Sequence, residues 1–138
     1  MLVRLLALPA LALLAVAQSV PQILVYTKTA GYYHESIPTA SAAIVRIGTD
    51  SGQFNATVSN DDTLFSDDGL APFKLIAFLS NSDQILTEAG EAALTRWLAT
   101  TGGSLVGLHA GAACLFNDTA FGVALGSWFD YHPDLQNV

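Results

Sequence analysis

Three histidines and one cysteine carry most of the chemistry open to this chain: His34, His109, His132 and Cys114. His109 stands in Gly107-Leu108-His109-Ala110-Gly111, directly after the apolar run Ser104-Leu105-Val106. This is a small-x-nucleophile-x-small elbow with histidine where a Ser or Cys nucleophile would stand. A tight strand-to-helix turn flanked by glycines holds its central side chain at the carboxyl edge of a sheet, where α/β proteins build their sites. An imidazole there binds metal or moves protons, but it is a poor acyl nucleophile. Nucleophilic acyl chemistry at the elbow is therefore disfavoured, and Cys114 has no local base motif to activate it.

His34 lies in the polar turn Thr27-Lys28-Thr29-Ala30-Gly31-Tyr32-Tyr33-His34-Glu35-Ser36, and His132 in Phe129-Asp130-Tyr131-His132-Pro133. Three imidazoles with Asp83 or Asp130 nearby would make a metal site, for zinc or another divalent ion, or an acid–base site. No local ligand spacing such as H-E-x-x-H is present, so the fold must supply the geometry. His109, His34 and Asp83 are the candidate catalytic groups. Lys28, Tyr32, Tyr33 and Asn81 are the candidate substrate contacts: lysine for hydroxyl-rich or anionic groups, tyrosines for stacking on a sugar face. Each also has an ordinary reading, as a solvated turn lysine, a turn aspartate or a loop histidine.

These residues need a scaffold that brings them together. Gln22 to Tyr26 and Lys74 to Leu79 are short apolar runs without alternation, as suits strands buried on both faces of a parallel sheet. Phe54 to Val58 and Ser104 to Leu108 are further strand candidates. Between them, Ser36 to Ser51 carries Ile37, Ala40, Ile44 and Ile47 near helical spacing, with Pro38 in the first turn and Gly52 beyond the end. Thr87 is positioned to cap a helix whose Ala89, Ala93, Leu94, Trp97 and Leu98 form one stripe, stopped by Gly102-Gly103. Thr119 to Leu125 is one short helix, and Asp61-Asp62 and Asp67-Asp68-Gly69 mark turns. Alternating strands and helices imply right-handed βαβ units in a doubly wound, flavodoxin-like sheet. In the usual strand order the first, third and fourth strands are neighbours, so the turns bearing His34, Asn81, Asp83 and His109 converge on one crevice.

Residues 1–17 read as a signal peptide: Arg4, an apolar stretch from Leu5 to Ala15 broken by Pro9, and an Ala15-Val16-Ala17 cleavage site. That stretch is shorter than the roughly 20 residues needed to cross a bilayer. The product, residues 18–138, is expected to be a single secreted domain without a membrane anchor. The formal net charge of −7 includes the leader's Arg4 and disfavours nucleic acid and anionic membranes as partners. A lone cysteine allows no intrachain disulfide. The sequons at Asn55 and Asn117 fit N-glycosylation of an exported chain.

Taken together, the segments Ile23 to Pro38, Phe78-Leu79 with Asp83, Gly103 to Ala110, and Phe129 with His132-Pro133 are similar to the ThuA-like (trehalose utilisation) domain over nearly the whole of residues 18–138. The resemblance implies a class I glutamine amidotransferase-like fold with histidine in the cysteine's place, which disfavours a glutaminase. It also implies a small saccharide partner, trehalose or a related oxidised disaccharide, and places His34, Asp83, His109 and His132 at the family's polar motif positions. Two departures stand out. Gly111-Ala112-Ala113 offers no acidic residue after the elbow, and the family domain continues beyond His132-Pro133, so the sheet is expected to be truncated on its C-terminal side. Three readings follow: a sugar-directed enzyme, a carbohydrate-binding module without chemistry, or an inactive fragment.

Overall fold

The computed structural model describes residues 19–133; the expected signal peptide over residues 1–17 lies outside them. Four parallel strands form the central sheet in the order β2-β1-β3-β5, where β1 is Gln22–Tyr26, β2 Asn55–Ser59, β3 Phe73–Leu79 and β5 Ser104–Leu108. The parallel α/β arrangement expected from the alternating runs is present, with the first, third and fourth strands of this sheet adjacent. A second, two-stranded parallel sheet pairs β4 (Ser82–Asp83) with β6 (Ala113–Cys114). Those two-residue strands carry no hydrophobic pattern of their own and were not foreseen.

The period-2 geometry of a strand divides β1 between two cores. Leu24 and Tyr26 join the larger cluster, with Phe65, Ile76, Phe78, Leu94, Trp97 and Phe121, beneath α3 (Glu88–Thr101) and α4 (Thr119–Leu125). Val25, with Ala77 and Leu79, belongs to a thinner cluster that Ala40 and Ile44 of α1 (Ile37–Ser51) cover. Both faces of the sheet are therefore occupied, which is why the strand sequences lack alternation. At its outer edge β5 has no strand partner among the described residues.

Local signals set the helix ends. Thr87 caps α3 through Gly90 N–H at 3.2 Å, Asp118 caps α4 through Phe121 N–H at 3.1 Å, and left-handed Gly52 and Gly102 end α1 and α3. One detail of α1 differs from the expectation: Ile47 is 58% exposed, and buried Gly48 takes the inward position. A Cβ on Gly48 would lie 2.6 Å from the Phe54 carbonyl oxygen, so only glycine lets the helix approach the chain entering β2. The aspartate-rich turns are more ordered than expected, forming a 3-10 turn at Asp62–Leu64 and the single-turn α2 at Asp67–Leu70. Among the described residues no helix is long and apolar enough to cross a membrane.

Candidate functional site

The carboxyl edge of the sheet concentrates backbone strain. Among the described residues, the non-glycine positions with positive φ are Ser80 (54°), Asp83 (61°), His109 (55°) and Leu115 (52°), all in the segments that follow β3 and β5. Each such conformation costs on the order of 1–3 kcal/mol and persists only where surrounding contacts enforce it. For His109 the enforcing element is the elbow. A Cβ on Gly111 would lie 2.1 Å from the Phe78 carbonyl oxygen, so the chain passes β3 closely enough to force the turn. The elbow leads into a 3-10 turn, His109–Ala112, and then into β6, rather than directly into an α-helix as expected.

Hydrogen bonds lock the three edge segments together. Ser80 N–H donates to the Leu108 carbonyl at 3.0 Å, and Ser80 Oγ lies 3.1 Å from His109 Nδ1. Ser82 ties down the turn after β1. Its Oγ accepts from Gly31 N–H at 3.2 Å and donates to the Tyr32 carbonyl at 2.9 Å, while its own carbonyl accepts from Ala30 N–H at 2.9 Å. Phe129 N–H donates to the Ala112 carbonyl at 2.9 Å and folds the tail back over the edge.

The result is a cavity of about 480 Å³ onto which His34, His109 and His132 all open. The His34 and His109 rings meet edge to face with centroids 4.3 Å apart. Tyr32 packs on His34 and Phe129 on His132, each pair at 4.8 Å, and the small side chains Ser82, Ala110 and Ala113 complete the lining. A family model described as ThuA, trehalose utilisation, matches residues 22–138. The chain belongs to the ThuA family. Comparison with curated proteins and with solved structures found no match. The family points to a role in trehalose utilisation.

In this ThuA chain the site residues expected from sequence divide into two groups. His34, His109, His132 and Tyr32 come together in the cavity. Lys28, Tyr33, Asn81 and Asp83 are not among its lining residues. Lys28 pairs with Asp62 at 2.8 Å and holds that carboxyl below the usual carboxylate range. Asn81 is fully buried, and its Nδ2 donates to the Tyr26 and Lys28 carbonyls at 3.2 and 2.9 Å, so its amide braces the backbone. Asp83 is exposed, with its carboxylate over Gly31 where a Cβ would stand, and Tyr33 is exposed beside the site. Among the described residues no three His, Cys, Asp or Glu side chains are close enough together to hold a metal ion. The three imidazoles open onto one cavity.

Two contributors, Ser80 and Ser82, carry no site role in the sequence reading, and Phe129 enters it only with the segment that bears His132. The one signal for the serines is a polar Ser80-Asn81-Ser82 run directly after a buried strand, which is costly unless the hydroxyls find partners. The electrostatics favour a neutral imidazole. Desolvation, then the His109 and His132 rings, lower the pKa of His34 below its ordinary value. Cys114 is fully buried, and burial pushes its thiol up to about 12, so it offers no thiolate near neutral pH.

Proposed function

We propose that the histidine cavity binds trehalose or a related oxidised disaccharide and that His34 and His109 transfer protons at a hydroxyl-bearing or carbonyl carbon of the bound sugar. The observation that carries this reading is the His34–His109 ring pair at 4.3 Å, held on a strained elbow and open to a cavity walled by Tyr32 and Phe129. Its volume of about 480 Å³ is of the size that small-molecule ligands occupy. Aromatic rings on two sides suit the apolar faces of a pyranose. A neutral His34 serves as the base, and His109 delivers a proton to the oxygen on which charge develops. Asn55 and Asn117 are both exposed, as glycosylation of a secreted chain requires.

A second reading, saccharide binding without chemistry, rests on a different observation: no carboxylate lines the cavity among the described residues. Incubation with trehalose and with oxidised disaccharides, followed by chromatographic separation and proton NMR of the sugars in heavy water, separates the two. Proton-transfer chemistry predicts a product that disappears in a folded His109→Ala variant. Sugar binding with no product from either protein supports the second reading.

A further inference from the structure

We infer that buried Ser80 fixes His109 as the Nε2–H tautomer, so that the elbow imidazole presents a hydrogen-bond donor to the cavity. Ser80 has no solvent exposure, and its N–H is tied to the Leu108 carbonyl at 3.0 Å with φ at 54°. Its hydroxyl cannot turn to water, and among the described residues His109 Nδ1, at 3.1 Å, is the one partner it has. A serine hydroxyl carries one proton and must place it somewhere. If Nδ1 bore the imidazole proton and donated it to Oγ, the serine proton would be buried without an acceptor. Leaving a buried donor unmet disfavours that arrangement by about tenfold or more. Ser80 therefore donates, Nδ1 accepts, and the imidazole proton resides on Nε2. A nitrogen already protonated has no lone pair for a metal ion.

The consequence for the ligand rests on the proposed saccharide reading. Against His109 the bound molecule places an acceptor oxygen, either a carbonyl or a hydroxyl or ether oxygen of a sugar, and not a cationic group. Ser80 is on this account a positioning residue that acts through His109 rather than on the ligand.

The tautomer is read without any ligand. Long-range proton–nitrogen correlation of the protein labelled with nitrogen-15 at histidine, at a pH of about 8 where imidazoles are neutral, reports each ring nitrogen's protonation state. With three histidines, His109→Ala assigns the resonance. The wild type is expected to show His109 with a protonated Nε2 and an unprotonated Nδ1. In Ser80→Ala the two nitrogen shifts move toward the average of a tautomer mixture. Ser80→Gly, which removes the hydroxyl and also relieves the positive φ, gives the same convergence and keeps the test alive if Ser80→Ala fails to fold. A wild-type His109 protonated on Nδ1, or wild-type shifts already averaged, overturns the inference. Added trehalose then tests the ligand: a shift of the His109 Nε2 resonance supports an acceptor oxygen there. A fixed tautomer with no response to trehalose leaves Ser80's role intact and counts against the saccharide reading alone.

Discussion

His34 and His109, from turns far apart in sequence, stand edge to face with ring centroids 4.3 Å apart and planes inclined at 67°. Two imidazoles this close resist sharing positive charge, and His132 adds a third. The pair is most stable with His34 neutral, and this has a signature in pH. Below the ordinary imidazole value of about 6.5, the unfolded chain takes up a proton that folded His34 refuses. Stability is therefore expected to fall as pH drops from there through the lowered folded value, and to level off below it. Thermal melting across pH checks this: His34→Gln removes that part of the slope, and an unchanged slope refutes the assignment.

The elbow depends on the close approach of Gly111 to β3. Gly111→Ala places a Cβ against the Phe78 backbone oxygen and is expected to cost about 1–3 kcal/mol, with loss of any ligand response at His109. Gly107→Ala meets the flexible end of Leu125 at 3.2 Å and the Gly111 backbone at an ordinary van der Waals distance of 3.6 Å, and is expected to be close to neutral. Equal denaturant midpoints for the two variants would contradict the account of the turn.

Asn81 tests whether a polar residue at the edge serves the ligand or the fold. Its Nδ2 bonds to the Tyr26 and Lys28 carbonyls predict that Asn81→Ala loses about 1–3 kcal/mol of stability. Chemical denaturation measures this, and a variant as stable as wild type would return Asn81 to the candidate ligand contacts.

Much of the fold is legible in the sequence because its causes are local. The stretches Ile23–Tyr26 and Leu75–Leu79 are uniformly apolar since both faces of the sheet are covered, and Thr87 marks a helix start through the bond its side chain accepts. The His109 elbow is legible through its glycines. What escapes is non-local. Asn81 and Lys28 have polar ends suited to a ligand, yet the fold directs them to backbone carbonyls and to Asp62. Ser80 carries no mark of its link to His109, because that contact exists only once β3 and β5 pair. Gly48 takes the buried place expected for Ile47 because packing against Phe54 needs the absence of a side chain, which hydrophobic periodicity cannot register.

Cys114 lies near the elbow but is fully buried with its thiol raised to about 12. It is expected to resist a thiol-specific reagent in the native protein and to react stoichiometrically once denaturant unfolds the chain. Rapid labelling without denaturant would show that the region around β6 opens, and would reopen the case for a cysteine nucleophile.

The central claim is that the His34–His109–His132 cavity is a saccharide site, and titrating trehalose against the histidine ring resonances tests it most directly. The account predicts saturable shifts at all three imidazoles, abolished for the remaining two by His109→Ala with the fold intact. Unmoved ring resonances at saturating trehalose and oxidised disaccharides would contradict it.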